Sequence, residues 1–139
     1  MKKLNRFTSF GLVLALSLAG CGGPSQFALV GSGGAAGADG NVQVEEVDGG
    51  NHLLTIHVEH LPPPERLAEG LTTYAVWLVA NGQAAVKAGH LDFDSESRMG
   101  NLVATTPLSD FELKITAESD ANASTPGNTV VLTRQITAQ

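Results

Sequence analysis

Side chains at alternate positions of a strand project from one face, which is how a single strand can offer two ligands to a metal ion. The chain carries four histidines, His52, His57, His60 and His90. His57 and Glu59 stand two apart in such an alternating stretch and share a face. His52 and His60 fall on the opposite face or beyond the strand end, and His90, Asp92 and Asp94 alternate to one side of a later stretch. Asp92-x-Asp94-x-Glu96 has the spacing at which a loop wraps oxygens around Ca²⁺. The EF-hand pattern then requires Gly at its sixth position and Glu at its twelfth, where this chain has Ser97 and Val103. A structural zinc site needs four ligands and a catalytic one three, and no H-E-x-x-H or C-x-x-C spacing occurs. These residues therefore define an incomplete metal or small-ligand constellation. The plainer expectation is a solvated strand face for His57 and Glu59 and an acidic hairpin tip for Asp92, Asp94 and Glu96.

Other chemistry finds less support. There is no G-x-S-x-G and no Ser-x-x-Lys, and Glu45 and Glu46 are adjacent on a strand, so they point to opposite faces. The segment GSGGAAG lacks the Lys and the helix that a phosphate-binding loop needs. No enzyme activity and no cofactor are expected. Tyr74 and Trp77 are the only Tyr and Trp. Their odd spacing on a strand puts them on opposite faces, with Trp77 expected in the core. Tyr74, together with Pro62, Pro63 and Pro64, is the expected apolar surface for a binding partner.

The elements that position these residues read as strands. Leu54, Ile56 and Val58 alternate with Thr55, His57 and Glu59, and Phe111, Leu113 and Ile115 alternate with Glu112, Lys114 and Thr116. A period of two buries one face and wets the other. Further strands are expected at residues 27–30, 42–47, 72–80, 86–93, 101–105 and 130–136. Apolar residues on both faces of 72–80 mark a central strand, and Asn81-Gly82 is a turn signal. Residues 62–70 begin with three prolines and end at Gly70, an extended or one-turn crossover between sheets. The whole predicts an all-β chain, an Ig-like or Greek-key antiparallel β-sandwich of 7–8 strands.

The amino terminus gives an address. Lys2, Lys3 and Arg6 precede an apolar stretch over residues 7–18, shorter than the roughly 20 apolar residues that span a bilayer. It ends in Leu18-Ala19-Gly20-Cys21, which resembles the lipobox of bacterial lipoproteins. The resemblance implies cleavage before Cys21, the only cysteine, and its modification with diacylglycerol and palmitate. Gly22, where retained lipoproteins of many Gram-negative bacteria carry Asp, implies onward transport to the outer membrane. Residues 1–20 are thus expected as a signal peptide, 21–26 as the lipidated tether and 27–139 as the domain. Three of the eight basic residues lie in that signal, leaving five against fourteen acidic ones, a net charge of −9. Such a surface repels phosphate backbones, so no nucleic acid is expected as a partner. The membrane is reached through the lipid, and an envelope protein is the expected partner.

A second resemblance covers residues 72–132. Tyr74-x-x-Trp77-Leu78-Val79, Ala88-Gly89-His90-Leu91, Phe111-x-x-x-Ile115-Thr116-Ala117-Glu118-Ser119 and Thr125-Pro126-Gly127 occur in that order. The pattern resembles the extracytoplasmic domain of anti-sigma-K-type factors, which implies a β-sandwich without catalytic chemistry. The family's sigma-binding helical segment and transmembrane helix are absent from this sequence, and its Gly-Gly-Ser is replaced by Asp120-Ala121-Asn122-Ala123-Ser124. The resemblance therefore implies a fold with a sensing or interaction role, without a hold on a sigma factor.

Overall fold

A computed structural model describes residues 22–139. The expected signal peptide, the lipobox residues Leu18, Ala19 and Gly20, and Cys21 lie outside the described residues. The chain beyond them is an all-β sandwich of nine strands, one or two more than the alternation predicts. They are β1 (Ser25–Val30), β2 (Asp39–Val47), β3 (Asn51–Glu59), β4 (Thr73–Val79), β5 (Val86–His90), β6 (Asp92–Asp94), β7 (Met99–Thr106), β8 (Asp110–Glu118) and β9 (Val130–Thr137). One antiparallel sheet has the order β1-β2-β3-β7-β6 and the other β5-β4-β8-β9.

The pairs β3–β7 and β4–β8 are joined by two crossings between sheets, β3 to β4 and β7 to β8, which gives the interlocked Greek-key path. The order β2-β3-β7-β6 facing β5-β4-β8-β9 matches the immunoglobulin arrangement, with β1 added at one edge. Beyond β1 the chain turns to the opposite sheet, where Gly31 bridges Leu132 and the Ser32 N–H donates to the Val131 carbonyl at 2.9 Å. That stitch closes one side of the sandwich. The expected first strand thus pairs, over Ser25–Val30, and begins two residues earlier than Phe27.

The core follows the predicted alternation. Leu54, Ile56 and Val58 of β3 face Tyr74, Val76 and Leu78 of β4 and Phe111, Leu113 and Ile115 of β8, all buried. Each such side chain contributes about 1.5–3 kcal/mol by leaving water. Tyr74 to Leu78 are buried without interruption, so β4 is covered on both faces. Its inner face meets the other sheet. Its outer face carries Ala75 and Trp77, both fully buried, with Lys87 lying over the indole.

The predicted strand over residues 86–93 is two strands in two sheets. β5 pairs with β4, whereas β6 pairs with β7, and the chain changes sheets at Leu91. Gly89 and Leu91 both press on the opposite sheet, where a Cβ on Gly89 would meet Leu102 Cδ1 at 3.0 Å and the Leu91 side chain packs on Gly100. His90 accordingly ends in the other sheet from Asp92 and Asp94, and the expected one-sided set of these three does not form. Residues 62–70 form the expected crossover, with a single 3-10 turn over Pro64–Arg66 and Gly70 at φ 83°.

Candidate functional site

Strand pairing gathers the polar candidates on the outer face of the five-stranded sheet. Asp92 pairs with Asn101, Asn101 with His57 and His57 with Asn41, a row across β6, β7, β3 and β2. In the next row Asp94 pairs with Met99 and Glu59 with Asp39. The buried alternates Val42, Val44, Leu54, Ile56 and Val58 force these side chains outward. The two candidate groups, His57 with Glu59 and Asp92 with Asp94, therefore share one face although Glu59 and Asp92 stand 33 positions apart.

His57 is held from both sides. Its Nδ1 lies 2.6 Å from Asn101 Oδ1 and its Nε2 lies 3.1 Å from Glu59 Oε1. Both nitrogens can donate only in the imidazolium, so the Asn101 bond first and the Glu59 bond second raise the His57 pKa above 6.5. Glu59 also faces a second histidine. Asp39, Glu59 and His60 each bring one ligand atom to within 4.8 Å of the others, with His60 Nδ1 2.6 Å from Asp39 Oδ1. Asp39 and His60 escape the period-two rule. Asp39 reaches the cluster only through its pairing with Glu59, and His60 bends back just past the end of β3 at φ 58°.

The Asp92–Glu96 turn has a different office from the one its spacing suggests. The Asp94 carboxylate accepts the Glu96 backbone N–H at 2.9 Å and the Ser97 hydroxyl at 3.0 Å, and the Asp94 carbonyl accepts the Arg98 N–H. These bonds, the Glu96 N–H first, hold the Asp94 pKa below its ordinary value. Each of its oxygens thus accepts a hydrogen bond from within the turn. The turn fixes Arg98, itself at φ 58°. Arg98 reaches across to donate to the carbonyls of His60 and Leu61, each at 3.1 Å, and its own carbonyl accepts the Leu61 N–H. Arg98 is therefore a positioning residue for His60.

The expected Tyr74 surface is corrected by the fold. Tyr74 is fully buried, its ring edge-on to Phe93 with centroids 5.4 Å apart, and its hydroxyl donates to the Pro62 carbonyl. Burial first, and the Glu65 charge second, raise its pKa. Tyr74 sits inward because it shares the parity of Val76 and Leu78. Pro64 is buried too, and Pro62 and Pro63 are half-buried, so these four residues cap the core and present no apolar patch.

Trp77 takes the other face and carries a buried polar chain. Its Nε1–H donates to Thr116 Oγ1 at 2.8 Å, the Thr116 hydroxyl donates to Glu118 Oε1, and the same oxygen accepts the Gly127 N–H at 2.7 Å. Lys87 lies over the indole, 5.1 Å from its centroid, and donates to the Ala121 carbonyl at 3.0 Å. Thus Trp77, Thr116, Glu118 and Gly127 serve the architecture of the second sheet.

Comparison with known proteins returns no match: no family model, no curated protein and no solved structure aligns with the chain. No helix among the described residues is long and apolar enough to cross a membrane.

Proposed function

We propose that the chain is a lipid-anchored protein of the bacterial cell envelope, held in the outer membrane by Cys21, whose non-catalytic sandwich is a binding module for an envelope partner. The polarity of the sandwich carries this reading. Gly22, Gly23 and Pro24 lie beside Val44, Glu45, Glu46 and Gln139, at one pole. The long connections, residues 31–38, 60–72 and 119–129, and the Asp39–Glu59–His60 cluster all lie at the other pole. A lipid on Cys21 would leave three residues, a reach of about 10 Å, before β1 begins. The domain would then sit close to the bilayer with its loops and histidine cluster turned away from it.

Tyr74, Trp77, Thr116, Glu118 and Gly127, which underlie the resemblance to anti-sigma-K-type extracytoplasmic domains, are all engaged in packing or internal hydrogen bonds. What that resemblance contributes is an architecture, and partner recognition falls to the exposed pole. Two measurements test the reading on one pair of proteins, the native chain and Cys21→Ser. Labelled palmitate should enter the native chain alone and place it in the outer-membrane fraction. Mild-detergent purification should recover an envelope protein with the native chain and not with Cys21→Ser. A native chain that takes no label and fractionates with soluble proteins would end the proposal. Label without a partner would retain the anchor and remove the interaction role.

A further inference from the structure

We infer that Asp39, Glu59 and His60 form a binding site for one divalent transition-metal ion of the Zn²⁺ type at the pole remote from the amino terminus. The three ligand atoms already lie within 4.8 Å of one another. Zn²⁺ holds imidazole nitrogen and carboxylate oxygen at about 2.0–2.2 Å, so ligands around it stand roughly 3–4 Å apart. Opening the 2.6 Å contact between His60 Nδ1 and Asp39 Oδ1 by somewhat less than 1 Å admits the ion, and both side chains are exposed and free to make that movement. Two carboxylates and one imidazole supply three protein ligands and leave a position for water or for a group from a partner. Imidazole favours Zn²⁺ over Mg²⁺ or Ca²⁺, which prefer an all-oxygen set.

The surroundings fit the same purpose. His57 Nε2 lies 3.1 Å from Glu59 Oε1 and can orient that carboxylate from outside the ligand set. Two guanidinium bonds from Arg98 hold the backbone of His60 and Leu61 and so aim the His60 ring at Asp39. Asp39 and Glu59 are held opposite each other by strand register. Three segments distant in sequence thus converge on one point of the surface.

The site is independent of the lipid anchor, and its test removes the competing thiol. Zn²⁺ is titrated calorimetrically into the full chain carrying Cys21→Ser, in detergent. The expected result is one ion per chain, at least tenfold weaker in His60→Ala and in Asp39→Asn, and unchanged in His52→Ala and His90→Ala. Melting without metal should be the same for the parent protein, His60→Ala and Asp39→Asn, because His60 and Asp39 are exposed; Asp39→Asn, nearly isosteric, remains decisive should His60→Ala fold poorly. Absence of saturable binding overturns the assignment. Equal binding by His60→Ala and Asp39→Asn, or weakening by His52→Ala or His90→Ala, overturns it as well.

Discussion

Trp77 and Thr116 are joined by an indole N–H···Oγ1 hydrogen bond of 2.8 Å, diagonally across the β4–β8 pair on the outer face of its sheet. Both side chains are fully buried. A tryptophan on the outside of a sandwich would ordinarily expose a large apolar surface. Here Lys87 lies over the ring and is itself tied to the Ala121 carbonyl, while a polar chain runs from Trp77 through Thr116 and Glu118 to the Gly127 N–H. The neighbouring strand β8 thus satisfies the one donor of the buried indole through Thr116, and the β8–β9 connection completes the chain through the Gly127 N–H.

Thr116→Val keeps the side-chain shape and removes the hydroxyl. It leaves the Trp77 N–H without an acceptor and the Glu118 carboxylate with one donor fewer, in a place water does not reach. The expected loss is about 1–3 kcal/mol in urea unfolding. Combined with Trp77→Phe, the two changes should be strongly non-additive, since each single change already breaks the chain. Additive losses would show that the hydrogen bond contributes little to stability.

Gly40→Ala probes a close approach of β2 to β3. A Cβ there would stand 2.1 Å from the His57 carbonyl oxygen and 2.8 Å from Val58 Cα, both backbone atoms that cannot rotate aside. The strands would have to part next to Asp39 and His57. A loss of about 3 kcal/mol is expected from denaturant unfolding, at the upper end of ordinary single substitutions. A loss under about 1 kcal/mol would mean that the pair has slack the register does not reveal.

The sandwich was legible wherever one face alone is wet. Leu54, Ile56 and Val58 alternate with Thr55, His57 and Glu59, and Phe111, Leu113 and Ile115 with Glu112 and Lys114, which reach water. Thr116 keeps the alternation and is buried; both stretches are strands with the apolar faces buried. The sheet change at Leu91 was not legible, because residues 86–93 keep an unbroken strand-like composition while the chain crosses from one layer to the other. Parity placed Tyr74 and Trp77 on opposite faces. It could not say which face looked into the sandwich, nor that the other was buried as well. On the polar face, the pairing of His57 with Glu59 followed from spacing alone. Asp39 entered through register, and His60 through a left-handed residue held by Arg98, so neither carries a local signal.

Tyr74→Phe separates packing from recognition. The phenol bonds to the Pro62 carbonyl inside the protein, so its loss should cost about 1 kcal/mol of stability and leave any partner association intact. Thermal unfolding and co-purification, run on the same variant, read the two effects separately. Loss of association in a variant that melts normally would return Tyr74 to the recognition surface.

Asp94→Ala tests the turn that positions Arg98, and its effect has a definite pH sign. The Glu96 N–H and the Ser97 hydroxyl bond the carboxylate, so the folded pKa lies below the unfolded value of 3.8. A group with a depressed folded pKa contributes stability above its unfolded value and loses it as pH falls through the folded value. The native chain should therefore lose this contribution below about pH 4, whereas Asp94→Ala, which lacks it at every pH, should show a shallower decline over the same range. Urea unfolding at intervals between about pH 6 and pH 2 gives both curves. They should converge at the acid end. Parallel curves, separated by a constant amount, would assign the effect of Asp94 to the shape of the turn and not to its charge.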